Sequence, residues 1–284
     1  MVTEPSVLTP IERIHTLQGI GGLLGVEFRI WFPMRAVSLV AAGLIIFGVV
    51  YAPWSAASNP SVDPGFGMLF FGFLGVWSAV LLISAASLSE GAVLGEINRG
   101  TAGWLVAMPI RRASVIVAKF ATAAVAYAVI IVMTGALLYP FLAGAVNRGG
   151  TGFRAGVVVE VTQSPIGMWG RFADLPDLGR YLGMLAAIWA TVVFVIAVMM
   201  LLGTVLRSRT AVFGLGMMLV GVIVGSAIVG GTRVSATPAG AVRAVLQIAW
   251  GNDVALFMPI LSSLLLSIVV LGAAVWFFDR RELA

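Results

Sequence analysis

Cysteine is absent from the 284 residues and histidine occurs once, as His15. The first absence excludes disulfides and thiolate metal sites, and the second leaves no imidazole pair for a zinc centre or an intramembrane HExxH protease. A serine hydrolase would need a base partner deep among apolar residues, and none can be assembled. Asp63, Asp174, Asp177, Asp253 and Asp279 lie apart, so no aspartate-rich motif is present to hold magnesium and diphosphate. Lysine also occurs once. Lys119 follows Ala118 and precedes Phe120, whereas a P-loop needs Gly-Lys-Ser or Gly-Lys-Thr to place its ammonium on phosphates. Nucleotide hydrolysis, if it drives this chain, is expected on another subunit.

What the chain has in abundance is apolar sequence. Hydrophobic residues make up 60% and charged residues 10%, with a mean hydropathy of +1.07, far outside the range of soluble domains. Crossing about 30 Å of hydrocarbon takes roughly 20 apolar residues in helix. Six stretches qualify, at about 36–52, 67–87, 115–140, 181–206, 211–231 and 258–278. The expected fold class is therefore an all-α integral membrane protein with six transmembrane helices, read as a single transmembrane domain over 1–284, because no linker or charge run divides it.

The N-terminus, MVTEPSVLTP, carries acid rather than base and does not lead into a short apolar core with a cleavage site, so it does not read as a signal peptide. Residues 1–10 are expected to be a flexible tail. Over 11–35, Ile20, Leu24, Phe28 and Trp31 recur at helical spacing with Glu27, Arg29 and Arg35 among them, which predicts an interfacial amphipathic helix. A polar lead-in to the first span is the simpler alternative.

Basic residues indicate orientation. With both termini cytoplasmic, the inner side holds eleven of the 17: Arg13, Arg29, Arg35, Arg99, Arg111, Arg112, Lys119, Arg207, Arg209, Arg280 and Arg281. The outer side holds Arg148, Arg154, Arg171, Arg180, Arg233 and Arg243, four of them in one loop beside Glu160, Asp174 and Asp177. The expected location is the bacterial cytoplasmic membrane, multi-pass. The net charge of +5 then describes cytoplasmic loops facing anionic membrane lipid and gives no reason to invoke nucleic acid.

No span carries a charge at its middle. Pumps and ion-coupled carriers keep one there because an ion or proton must bind, despite a cost of about 2.5–3.5 kcal/mol on insertion scales. Glu90 is the nearest candidate, just past the second span, and Ser87 three residues earlier makes it a capping-box acid.

The polar interruption between the second and third spans is the most informative segment, reading EINRGTAGWLVAMPIRRASVIVAK from Glu96 to Lys119. Thr101 can cap a short helix over about 102–108, Pro109 ends it, and Arg111 and Arg112 hold the start of the third span at headgroup level. The order Glu96, Arg99, Gly100, Thr101, Leu105, Pro109, Arg111, Arg112, Lys119 resembles the corresponding loop of the type-2 export permeases of ATP-binding-cassette (ABC) transporters. The lead-in EFRIWFPMR and the ending FFDRREL resemble the interfacial helix and basic finish of that family, so the likeness covers essentially the whole chain. Ile97, Asn98, Gly103 and Trp104 depart from its usual pattern.

The resemblance implies a permease subunit with a cytoplasmic coupling helix between spans 2 and 3, seated in a groove of an ABC ATP-binding subunit. Two such subunits, carrying the ATP and magnesium, and a second permease copy or paralogue are the implied partners. This chain itself is expected to hold no cofactor or metal and to catalyse no reaction. Phe70, Phe73, Trp77, Phe213 and Met217 are candidate pathway-lining residues and suit a hydrophobic or amphipathic cargo, although ordinary packing would use the same residue types. Two alternatives stand: a haem-exporter-like permease of cytochrome maturation, and a non-transporting membrane anchor or assembly subunit.

Three further segments complete the reading. Gly221 and Gly225 form a small-xxx-small pair that reads as generic packing. Residues 234–257, with Arg243, Gln247, Trp250 and Asp253, are too polar to span and resemble short re-entrant helices of that family, or else form a surface loop. The outer loop over 147–178 contains GVVVEVTQ, a candidate strand or lid.

Overall fold

The computed structural model describes residues 25, 38–46, 76–87, 112–151, 178–206, 208–229, 236–249 and 254–280, with side chains of the third helix described over 114–137. Helices and short connections account for all of them, with no strand among the described residues. In chain order these are α1 (38–46), α2 (Val76–Ser87), α3 (Arg112–Thr151), α4 (Leu178–Val205), α5 (Arg209–Val229), α6 (Pro238–Ala249) and α7 (Phe257–Arg280). Four are long and apolar enough to cross a membrane: Ser114–Leu137 of α3, Gly179–Val205 of α4, α5 and α7. They fall on the third to sixth expected spans. The first two expected spans are helical at α1 and α2, and their remainders, like the 11–35 helix apart from helical Gly25, lie outside the described residues.

One boundary differs from the sequence expectation. The expected span ends at about Pro140, yet the backbone helix of α3 continues through Pro140 to Thr151. Proline removes one donor from the ladder, and a helix tolerates this where neighbouring groups compensate. At 40 residues α3 is about 60 Å long, roughly twice the hydrocarbon thickness. With α3 helical to Thr151, the connection to α4 begins after Thr151 rather than at Asn147.

Cross-helix contacts give the register. Ser84 Oγ and Tyr127 Oη are 2.9 Å apart, joining α2 to α3. Tyr181 Oη donates to the Gly135 carbonyl at 2.9 Å and Trp189 Nε1 donates to the Ala124 carbonyl at 2.9 Å, which makes α3 and α4 antiparallel. A short connection at 206–208 reverses α4 into α5, whose Gly216 lies against Met199 of α4 and Ala86 of α2. Leu256 packs on Gly183, so α7 starts beside the start of α4 and runs parallel to it. The bundle thus has a turn end, with Arg112, the 206–208 connection and Arg280, and a far end, with Gly179 and Phe257.

Helix α4 is apolar on every side after Arg180, and such a helix belongs inside. Of its spanning window 67% is buried, against 28% for α5 and 17% for α7. Met184, Ile188, Val192, Val195, Ile196 and Met199 fill the core that α2, α3, α5 and α6 share with it. The outer faces of α5 and α7 instead expose Met218, Val222, Ile228, Leu265, Ile268 and Val269. In water these faces would be aggregation surfaces; against lipid tails they are already in a matching solvent. Association inside the bilayer then rests on close packing and interhelical hydrogen bonds rather than on apolar burial.

Two small positions allow that closeness. A methyl on Gly135 would overlap Leu185 Cδ1 at 2.6 Å, and one on Gly43 would overlap Thr134 Cγ2 at 2.8 Å and Trp77 Nε1 at 2.9 Å. Along α7, Ser263 and Ser267 return their hydroxyls to the Pro259 and Ser263 carbonyls, each at 2.7 Å, so a buried stripe remains small and internally satisfied.

Candidate functional site

Of the residues expected to couple to an ATPase, Glu96, Arg99, Gly100, Thr101, Leu105, Pro109 and Arg111 lie outside the described residues, and Arg112 opens the backbone of α3. What the structure does locate is the end of the bundle at which α3 begins. Arg112, which follows that stretch in sequence, opens α3 at the turn end, since α3 runs antiparallel to α4. The 206–208 connection is there too, where Ser208 caps α5: Ala211 N donates to Ser208 Oγ at 3.4 Å and Val212 N to Ser208 O at 3.1 Å.

Just inside this end, Ile116 of α3 packs on Phe278 of α7, flanked by Leu271 and Val275. Lys119 is buried one turn further in. Arg280 stacks its guanidinium 4.0 Å from the Trp276 ring centroid, and Phe277 meets the same ring edge-on at 4.7 Å. A cation stacked on tryptophan at a helix end is a membrane-interface anchor. The start of α3 thus touches the end of α7 directly, through Ile116 and Phe278.

The candidate pathway residues are spread out. Trp77 is 1% exposed, enclosed by Gly43 and Thr134. Phe213 is exposed on α5 and Met217, one turn on, is half-buried. Since Ala86 lies opposite Gly216 and the two helices run oppositely, Trp77 and Phe213 sit roughly 18 Å apart along the bundle axis at about 1.5 Å per residue. They do not share one wall within a single chain. Phe70 and Phe73 lie outside the described residues.

The polar segment 234–257 forms a buried helix over much of its length, which excludes a surface loop for that part. Thr237 caps it, with Gly240 N donating to Thr237 Oγ1 at 3.3 Å and Ala241 N to Thr237 O at 3.2 Å, and Pro238 occupies the first helical position. The Pro238 carbonyl lies 3.5 Å from Thr191 Oγ1. Thr191 is near the middle of the 27-residue span Gly179–Val205, so α6 starts at mid-bundle depth and climbs beside α4 toward the far end. Ala239, Ala241, Val242, Ala244 and Val245 are buried, whereas Arg243 and Gln247, one turn apart, share the half-buried face with Leu246.

Arg243 follows Pro238 by five residues, which places its backbone about 7 Å from mid-depth, well inside a half-bilayer of roughly 15 Å. An arginine costs about 2.5–3.5 kcal/mol at the bilayer centre on insertion scales. The spans are free of charge at their middles, as their sequences require, but this short helix brings a charge to depth that inspection of the spans alone misses. The available signal is the Thr-Pro cap at 237–238 followed by polar residues at i and i+4; it specifies a helix but not its depth.

A family model described as ABC-2 family transporter protein matches residues 42–283, from within α1 to beyond the end of α7. The chain belongs to this family. Comparison with curated proteins gives no match. As an ABC-2 family member the chain is a permease component of an ABC-type transporter, the transmembrane subunit and not the ATPase, and a multi-pass membrane protein. Its general partner is an ABC ATP-binding subunit.

Proposed function

We propose that this ABC-2 permease exports a hydrophobic or amphipathic cargo, receiving force from a partner ATPase through the 96–112 segment at a cytoplasmic turn end. The observation that supports the reading is the common placement of Arg112, where the segment joins α3, with the 206–208 connection and the Ile116–Phe278 contact. Arg111, Arg112, Lys119, Arg207, Arg209, Arg280 and Arg281 all belong to this end by position, the bias expected of a cytoplasmic face. In this reading Thr101 to Pro109 forms the coupling helix, held by Glu96, Arg99, Gly100 and Leu105 in the ATPase groove. Closure of two ATP-loaded subunits moves α3, and the Ile116–Phe278 contact carries the motion to α7.

A second copy or paralogue completes the translocator, with cargo passing along the interface between the two permeases. The lipid-matched outer faces of α5, including Phe213 and Met217, supply apolar surface for such an interface. The test is capture of an ABC ATP-binding subunit by the tagged chain in mild detergent, identified by mass and by ATPase activity. Arg111→Glu should lower capture severalfold while leaving membrane insertion intact. Full capture by that variant would overturn the coupling assignment.

A further inference from the structure

The half-buried face of α6 places a guanidinium and a carboxamide one turn apart inside the far half of the bundle. We infer that Arg243 and Gln247 bind the anionic headgroup (phosphate, sulfate or carboxylate) of a membrane-soluble amphiphile. This deepens, and rests on, the reading of the chain as a permease for amphipathic cargo.

The contact of Pro238 O with Thr191 Oγ1 puts the start of α6 beside the middle of the most buried span, so the backbone of Arg243 lies about 7 Å along the axis from that middle, within the depth that a half-bilayer of roughly 15 Å covers. A cation kept at such a place is normally paired or used. Among the described residues the one acidic side chain is Asp279, in the last turn of α7 at the opposite end. The rest of α6 is small and apolar, with Ala239, Ala241, Val242, Ala244 and Val245 turned into the bundle, so the half-buried polar pair is the exception in its own helix. Guanidinium presents a planar fork matched to phosphate and carboxylate, and the Gln247 amide can donate a further hydrogen bond. Leu246 beside them offers apolar contact to the first methylenes of a tail. A free anion would have to shed its water to reach this depth, whereas an amphiphile carries its headgroup there with its tail in lipid.

Binding is measured on the full chain, immobilised in dodecyl maltoside, with radiolabelled dodecyl phosphate as probe. Saturable binding is expected, weakened roughly tenfold or more in Arg243→Gln and less in Arg243→Lys and Gln247→Ala. Unlabelled dodecyltrimethylammonium should not compete, and inorganic phosphate should compete far more weakly than dodecyl phosphate. Equal affinity in Arg243→Gln overturns the proposal, and so does equal competition by inorganic phosphate, which would assign a free-anion site instead. Asp253, outside the described residues, is the nearest acid in sequence after α6. If Asp253→Asn reproduces the thermal destabilisation of Arg243→Gln and dodecyl phosphate binds neither wild type nor variants, Arg243 is a structural ion-pair partner and the proposal falls. Should Arg243→Gln fail to accumulate, the comparison of Gln247→Ala with wild type still decides, since unchanged affinity there removes the paired site. None of these measurements needs the ATPase, so failure of headgroup binding is separable from failure of ATP-driven export in vesicles.

Discussion

Replacing Gly43 by alanine tests the packing of α1, α2 and α3 directly. The added methyl would stand 2.8 Å from Thr134 Cγ2, 2.9 Å from Trp77 Nε1 and 3.4 Å from Trp77 Cδ1. Neither neighbour has room to retreat, because Trp77 is 1% and Thr134 0% exposed. Overpacking of this kind costs about 1–3 kcal/mol, and the better helix propensity of alanine returns about 1 kcal/mol. The net loss is about 1 kcal/mol, or a fall of about 2–4 °C in Tm for a domain of this size. Intrinsic tryptophan fluorescence during heating in mild detergent reads it. The partner change Thr134→Ser deletes the offending Cγ2 and should restore most of the loss in the Gly43→Ala background, while Gly221→Ala and Gly225→Ala, where a methyl meets nothing within 4 Å, should lose nothing. A Tm for Gly43→Ala at or above wild type, or no recovery with Thr134→Ser, would refute this account of the α1–α2–α3 contact.

Two further outcomes follow from the same helices. The hydroxyls of Thr122 and Thr134 are buried without a hydrogen-bond partner, so the near-isosteric Thr122→Val and Thr134→Val should each raise stability by about 1 kcal/mol in the same thermal assay; a lower Tm would contradict it. Because the chain has no cysteine, single cysteines report topology cleanly. In intact cells an impermeant thiol reagent should label a cysteine at Thr151, the last residue of α3, and spare one at Thr101; the opposite pattern reverses the orientation.

Much of the helical content is legible because a transmembrane helix announces itself in one dimension: an unbroken apolar run must satisfy its backbone internally. The runs at 181–206, 211–231 and 258–278 correspond to α4, α5 and α7 within a few residues. The span expected over about 115–140 gives the membrane-crossing part of α3 but not its continuation to Thr151, because residues 147–151 are polar or glycine and carry no apolar signal. Trp77 misleads in a different way. Its bulk suggests a wall for cargo, yet Gly43, far earlier in the chain, makes the space that buries it. No local pattern carries that pairing.

By itself, then, the sequence determined that this protein lives in a bilayer, that its spans are uncharged at their middles, and that the Glu96–Arg112 segment carries its resemblance to ABC permeases. All three depend on residue type and short-range order. Tertiary structure alone decided that α4 is the central helix, that the start of α3 shares an end with the 206–208 connection and the end of α7, and that α6 begins at mid-bundle depth with Arg243 above it. Depth and neighbourhood arise from contacts such as Thr191 with Pro238, 47 residues apart, and in a solvent as apolar as the helices themselves only such contacts select the arrangement.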